Sequence, residues 1–213
     1  MLCSWLHPCL LGKSIWLKAS SSFGGCAVVE SDRKSERGQF AIFRAKDARC
    51  DADTTIMQYE PVSAVVAEGS RKAQAEGVDD GHDLRVLFSV PGFSLVYVWF
   101  KSGFPLPRHS HNVDCLYYIV GGSLMIGHNE LGVGDGFFVG RDVPYAYTPG
   151  PAGVEVLEFR AADQFNIKVM ADNPAFWDKA AEAVRSHRRA WVQEPRPAGV
   201  VPDKVPQPRG PET

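Results

Sequence analysis

The sequence predicts an all-β fold of the jelly-roll or barrel type, followed by one helix. Three observations support this prediction: short β-branched and aromatic runs recur between residues 84 and 160, glycines and prolines separate them, and the apolar period becomes helical after Arg160. We find no helical segment between these runs, which excludes a parallel sheet of alternating strands and helices. An antiparallel barrel or a double-sheet jelly roll remains.

Composition and charge are those of an ordinary globular protein. The 213 residues are 45% hydrophobic and 23% charged, and 23 basic against 25 acidic residues give a net charge of −2. A chain so close to neutral gives no reason to expect nucleic acid or an anionic membrane surface as a partner. The five cysteines form no Cys-x-x-Cys pair. Their odd number and irregular spacing predict free thiols and a cytoplasmic location.

Residues 1–56 are predicted to be a poorly ordered N-terminal extension. Apolar residues are mixed there with serine, glycine and cysteine, with neither helical nor strand period. Lys13 and Lys18 follow the short apolar patch, whereas a signal peptide has its basic residues first. A transit peptide has little support because basic residues are few. An over-long reading frame with its true start at Met57 is the other interpretation, and we assign no function to the segment.

Residues 57–170 are predicted to form the β domain. The polar stretch up to residue 81 contains three glycines and is predicted to be a loop with at most one helical turn. The run FSLVYVWFK gives the strongest strand prediction. The predicted strands are Leu84–Val90, Phe93–Lys101, Leu116–Val120, Ser123–Ile126, Phe137–Val139, Val143–Thr148 and Val154–Phe159.

Residues 171–193 are predicted to form a helix and residues 194–213 a disordered tail. Asp172 or Asn173 can cap the helix, and Pro174 suits its first turn. An apolar stripe is expected to pack on the barrel or on a second subunit, which predicts a homodimer; its members are Trp177, Ala180, Val184 and Trp191. The tail is rich in proline and poor in large apolar residues, a composition typical of disorder.

His109 and His111 are the strongest candidates for a functional site. Side chains alternate along an extended strand, so two histidines one residue apart point to the same side. Two imidazoles placed in this way can bind one metal ion. Three further histidines, His82, His128 and His187, are predicted to be exposed to solvent.

The motifs around this pair resemble those of the cupin superfamily. In the first motif, Gly103 precedes His109 by five intervening residues, and Cys115 holds the usual acidic position. In the second motif, Tyr145 follows Pro144 at the usual histidine position. The remaining motif residues are Gly121 or Gly122 after the next strand and Gly134-Asp135-Gly136. The resemblance covers about residues 84–160 and implies a cupin jelly-roll barrel, also called a double-stranded β-helix.

The resemblance further implies a metal site at His109, His111, Cys115 and Tyr145. A cysteine thiolate is a good ligand for zinc or iron. A phenol titrates near 10 and suits Fe³⁺ better than softer divalent ions. The alternative is that Cys115 is a small buried apolar residue and Tyr145 part of the cavity wall.

Two functions therefore remain open. One is a protein that holds a small molecule in the barrel beside a divalent metal, iron or zinc, with chemistry like that of the dioxygenases in this superfamily. The other is a metal-free small-molecule-binding or regulatory protein. We assign no catalytic residue in either case.

Strand parity predicts the rest of the cavity. Tyr117 and Ile119 share the inward parity of Cys115, and Tyr147 shares that of Tyr145, so these three should line it. Glu155 and Glu158 differ by three positions, so only one can face inward. A lone carboxylate facing inward could act as a base, but we expect an exposed one.

Overall fold

The structure is a computed structural model that describes residues 40–201. Within this range the chain forms ten strands and two helices, joined by loops and short 3₁₀ turns. In chain order they are β1 (Arg49–Cys50), β2 (Met57–Tyr59), α1 (Ala64–Glu76), β3 (His82–Val90), β4 (Phe93–Phe100), β5 (His109–Ser110), β6 (Cys115–Ile126), β7 (Asn129–Gly132), β8 (Gly136–Val139), β9 (Thr148–Arg160), β10 (Phe165–Val169) and α2 (Pro174–Trp191).

Two sheets enclose the core. The larger sheet has the order β1-β3-β4-β9-β6-β7, with β8 also paired to β6, and the smaller sheet has the order β2-β10-β5. The principal apolar cluster includes residues of both sheets, among them Val96, Val98, Ile119, Val156 and Phe165. The sheets remain separate ladders, so the predicted barrel takes the form of a β-sandwich, and the all-β jelly-roll prediction is confirmed.

The strand boundaries differ from the prediction at two glycine-rich points. The two strands predicted on either side of Gly121–Gly122 are one strand, β6, whose register against β9 shifts at this point. Gly122 has φ 69°, so it absorbs the shift where other residues would be strained. The strand predicted at Val143–Thr148 is wrong, because Tyr145 makes only an isolated bridge to His109 and β9 begins at Thr148.

Helix α1 lies where the sequence predicted a loop. The Ser63 side chain accepts a hydrogen bond from the first turn, and Gly77, with φ 90°, ends the helix. Gly69 does not break it. A Cβ at this glycine would lie 1.9 Å from Cγ of Trp177, so its absence permits the close packing of α1 on α2. The loop prediction is wrong because Gly69 serves packing and not a turn.

Helix α2 lies where the sequence predicted a C-terminal helix. Its apolar stripe, however, packs within the chain and not against a second subunit. Asn173 caps it, accepting a 3.0 Å hydrogen bond from Ala175 N. Trp177 and Trp191 are 1% and 0% exposed within the single chain. The indole nitrogen of Trp191 donates to Ser102 O at 2.8 Å. This stripe therefore cannot supply a subunit interface, and the homodimer stays a prediction.

Both ends of the described range pack on the larger sheet. Strand β1, inside the predicted extension, pairs with β3. At the other end, Ala198 N donates to Glu155, so residues 194–201 differ from the disordered tail that we expected. Residues 1–39 and 202–213 lie outside the described range. Cys50 is disulfide-bonded, so the expectation of free thiols is wrong there, whereas Cys115 is free.

Neither helix is long and apolar enough to cross a membrane, within the range that the structure describes.

Candidate functional site

The candidate site is a cavity between the two sheets. Its empty space is about 540 Å³, including the part that opens to solvent. Most of the wall is apolar and a few polar side chains converge on it, as is usual for a small-molecule pocket. The lining residues are Asp51, Met57, Leu84, Val96, Val98, Phe100, Leu106, His109, His111, Tyr145, Tyr147, Glu158, Arg160, Phe165 and Ile167.

The structure brings His109 and His111 together, with ring centroids 5.2 Å apart. The Nδ1 atom of His109 lies 2.8 Å from Pro107 O, and that of His111 lies 2.6 Å from Asn166 O. A carbonyl oxygen only accepts, so each Nδ1 carries the proton and each Nε2 presents a lone pair. The pair is thus fixed in one tautomer by two backbone carbonyls.

The lone pair on His109 Nε2 accepts a hydrogen bond from the Tyr145 hydroxyl. The bridge between their backbones places the Tyr145 hydroxyl 2.8 Å from His109 Nε2, to which it must donate. Tyr117 is hydrogen-bonded to the oxygen of Tyr145, and it donates because the Tyr145 proton is already engaged. The result is a directed chain from Tyr117 through Tyr145 to His109. By contrast, His111 Nε2 has no hydrogen-bond partner among the described residues.

Burial keeps these groups uncharged. The pKa of His109 is lowered to about 4, chiefly by burial, with a smaller lowering by the positive charge of Arg160. The pKa of His111 is well below its usual value for the same two reasons, in the same order. Burial also raises the pKa of Tyr145 and of Tyr117. At neutral pH, two neutral imidazoles and two phenols therefore face one another.

Arg160 and Glu158 are the charged residues beside the two histidines and Tyr145. Arg160 Nη2 lies 2.7 Å from Glu158 Oε2, and the guanidinium carbon lies 3.9 Å from the centroid of the Phe165 ring. Burial lowers the pKa of Arg160, but the neighbouring Glu158 carboxylate raises it, and the net result is a raised pKa. Its Nε and Nη1 atoms are buried without a hydrogen-bond partner. We call His109, His111, Tyr145, Glu158 and Arg160 the inner polar cluster.

Cys115 is not part of this cluster in the way that the metal-site prediction requires. The residue is 1% exposed and is not among those that line the cavity. Burial raises its pKa to about 12. A thiol held in this way is protonated and behaves as a small apolar core residue. The alternative considered from the sequence thus describes Cys115 better than the ligand role.

The described residues do not fit a divalent metal ion. No group of three or more histidine, cysteine, aspartate or glutamate side chains in the described range could hold one. Tyr145 blocks the lone pair of His109, and the positive charge of Arg160 lies near both imidazoles. Protein zinc sites generally use three or four anionic or imidazole ligands, whereas of the two histidines here only His111 keeps a free lone pair.

Other predicted residues take varied positions. Tyr147 lines the cavity, whereas Tyr117 touches it only through Tyr145, and Ile119 lies in the core behind it. His128 is exposed, but His82 is not fully so, and its ring packs 5.4 Å from that of Phe104. His187 is half-buried as well. The exposure predicted for these last two histidines is therefore wrong.

Glu155 and Glu158 face opposite sides of β9, as their spacing predicts, but both are buried. Glu158 faces the cavity, and Glu155 lies on the outer face beneath residues 196–199. The expectation of an exposed carboxylate is wrong, because the C-terminal segment covers the outer face. Sequence reasoning missed Arg160 altogether. Its signal was strand parity, since residues 154, 156, 158 and 160 share one face and a charge on that face calls for a partner.

The comparisons with known proteins give structural likeness only. No protein-family model and no curated protein matches this chain. KdgF from a Halomonas species is 20% identical, over 38% of this chain and 79% of that one, with a TM-score of 0.33. An RmlC-like cupin from Shewanella frigidimarina is 25% identical, over 39% of this chain and 78% of that one, with a TM-score of 0.35. Salicylate 1,2-dioxygenase from Pseudoaminobacter salicylatoxidans is 14% identical, over 48% of this chain and 36% of that one, with a TM-score of 0.37.

Identities and TM-scores this low carry no information on activity. The two packed sheets agree with the jelly-roll fold that the sequence predicts, and an isolated bridge to His109 places Tyr145 of the second motif beside the first. The all-β jelly-roll fold is thus confirmed, and membership of the cupin superfamily stays a prediction.

Proposed function

We propose that this chain binds a small organic molecule in the cavity between its sheets, without a resident divalent metal. The single observation that carries the proposal is Arg160, a buried residue of the cavity wall with two unpartnered guanidinium nitrogens. An unsatisfied buried donor costs about 1–3 kcal/mol. A ligand that accepts these hydrogen bonds would remove this cost, which supports the cavity as a binding site.

A divalent metal, iron or zinc, on His109 and His111 with dioxygenase-like chemistry is the second candidate. It is favoured by the Nδ1 contacts with backbone carbonyls, which orient both rings as in many metal sites. The hydroxyl of Tyr145 on His109 Nε2 and the nearby charge of Arg160 oppose it. We therefore place metal-free binding first.

The experiment combines metal analysis with a neutral apolar probe, toluene. The protein is purified from cells supplied with iron and zinc, and its metal content is compared with that of the His109→Ala/His111→Ala variant. We expect less than stoichiometric metal in both, and equal toluene affinity before and after chelator treatment. An Ile167→Phe variant, which fills the cavity from β10, should lose toluene binding.

Stoichiometric metal that the double histidine variant loses would establish the second candidate instead. Toluene binding that survives Ile167→Phe would place the probe elsewhere and contradict the cavity as its site. Light scattering of the same preparations tests the predicted homodimer, and a monomeric mass would contradict it.

A further inference from the structure

The unpartnered polar atoms of the residues that line the cavity include hydrogen-bond donors and an acceptor. Arg160 Nε and Nη1 can only donate, whereas His111 Nε2 can only accept because Nδ1 holds the proton. We propose that the cavity recognises an uncharged small molecule whose polar end joins a carbonyl oxygen to a neighbouring N–H or O–H, such as an amide or a hydroxyketone. This inference rests on the proposed function, since it takes the cavity as the binding site and adds the chemistry of its ligand.

The two kinds of atom lie around one aromatic ring. The Phe165 ring has the guanidinium of Arg160 over its face, at 3.9 Å from the ring centroid. The His111 ring meets the same phenylalanine edge-on, with centroids 5.3 Å apart. A single polar end of a ligand near Phe165 can therefore reach a donor and an acceptor together.

No other polar atom of the histidine pair is available to a ligand. The Tyr145 hydroxyl donates to His109 Nε2 and accepts from Tyr117, and both Nδ1 atoms donate to backbone carbonyls. The described cluster therefore offers a ligand one acceptor from the imidazoles and the unpaired donors of Arg160.

The charges of the wall favour a neutral ligand over an anion. Arg160 is already paired with Glu158 at 2.7 Å, so the pair as a whole is neutral. The two imidazoles, which burial keeps neutral, add no positive charge to the wall. An anion placed here would be an uncompensated charge in a mostly apolar cavity, and this is costly. A carbonyl oxygen accepts from the guanidinium without bringing a charge.

The remainder of the wall requires an apolar body on the same molecule. It is formed by aliphatic and aromatic side chains, among them Val96, Val98, Phe100 and Ile167. Burying an apolar group against them is favourable because its surface is removed from water.

Four benzene derivatives of similar size test the proposal by titration calorimetry at pH 7.5. Benzamide carries acceptor and donor, acetophenone an acceptor only, toluene neither, and benzoate a charge. We expect acetophenone to bind about tenfold more tightly than toluene and benzamide about threefold more tightly than acetophenone. Benzoate should bind more weakly than benzamide. In NMR spectra, benzamide should shift both Arg160 Nε–H and His111 Nε2, acetophenone only the arginine signal, and toluene neither.

Variants separate the two hydrogen bonds. Glu158→Gln/Arg160→Met should reduce the affinities for acetophenone and benzamide to about that for toluene. His111→Leu should bring benzamide to the level of acetophenone and leave acetophenone unchanged. The matched control is His128→Gln, an exposed histidine on a hairpin, which should change nothing. The NMR shifts of the wild-type protein keep the test valid if a variant fails to fold.

The possible failures are distinguishable. Benzoate that binds as tightly as benzamide overturns the neutral class in favour of an anion. Equal affinities for toluene and benzamide overturn the polar recognition and leave the cavity as a binding site. Absence of binding by all four probes overturns both this inference and the proposed function.

Discussion

The two faces of strand β9 each bury a glutamate near an arginine, but only one of them satisfies its charged groups. On the outer face, Glu155 accepts from the Tyr97 hydroxyl and from Ala198 N and Gly199 N, and Arg196 donates to Asp83 and Tyr97. We call Asp83, Tyr97, Glu155 and Arg196 the outer polar cluster. On the inner face, Arg160 is paired with Glu158 but keeps two nitrogens without partners.

This difference separates a structural cluster from a candidate binding site. A buried polar network with its partners in place stabilises one conformation, and removal of one member leaves the others unsatisfied. A buried network with open positions costs stability, and each open position calls for an explanation, such as a ligand that completes it. The outer polar cluster should therefore be sensitive to mutation, whereas the inner polar cluster should tolerate replacement of its charged pair.

The largest effect is expected from Glu155→Ala on the outer face. The change leaves the Tyr97 hydroxyl and the two N–H groups of the C-terminal segment without their acceptor. We expect the free energy of unfolding to fall by about 3 kcal/mol, since each unsatisfied buried group costs about 1–3 kcal/mol. Urea denaturation of the wild type and the variant measures this.

The matched control is Glu182→Ala, a solvent-exposed glutamate paired with Arg185 on α2. Exposed ion pairs contribute little, so no measurable change is expected there. If Glu155→Ala proves as mild as this control, the outer polar cluster is not the structural one, and the comparison fails.

Acid should weaken the inner face before the outer face. The pKa of His109 is lowered to about 4 by burial, so below pH 6.5 the unfolded chain takes up a proton that the folded chain does not. The stability due to neutral His109 is present above pH 6.5 and is lost as the pH falls towards 4. The loss between pH 7.5 and 5.5 is about 1 kcal/mol for this histidine alone. The lowered pKa values of His82 and His111, due first to burial, act in the same direction.

On the outer face, burial raises the pKa of Asp83, but Arg85 and Arg196 lower it, and the net pKa is below the usual value. Its contribution is therefore lost only in more acidic solution, below about pH 4. Urea denaturation at pH 7.5, 6.5 and 5.5 measures how the free energy of unfolding falls as the histidines of the unfolded chain take up protons. In the His109→Gln variant this fall should be smaller by about 1 kcal/mol. An unchanged stability over this range would contradict neutral buried histidines.

The sequence allowed much of the inner face to be predicted because strand parity acts locally. His109, His111 and Tyr145 meet in the structure, as the two motifs and their spacing imply. The strand register that places Arg160 opposite Cys115 is a long-range property, and period alone does not reveal which inward charge pairs with which. The burial of Cys115 could not be predicted for the same reason, since parity gives the side of the sheet but not the depth within it.

The outer face was harder to predict because a non-local segment covers it. Residues 194–201 have a disorder-like composition, yet Arg196 stacks over Trp99 at 4.5 Å from the ring centroid. Such a segment owes its order to partners far away in sequence, which composition cannot show. Helix α1 illustrates the same point, since Gly69 has its packing role only opposite Trp177.

The smallest effect on stability is expected from Glu158→Gln/Arg160→Met on the inner face. Replacing both members of a buried ion pair by uncharged residues of similar size is often neutral or stabilising, because the desolvation cost of both charges disappears. Here it also removes the two unpartnered nitrogens of Arg160. We therefore expect a free energy of unfolding within about 1 kcal/mol of the wild type.

The single change Arg160→Met should destabilise the protein much more, because Glu158 would remain buried without its cation. A double variant as unstable as this single variant would show that the pair holds the fold together, and the inner polar cluster would then be structural like the outer one.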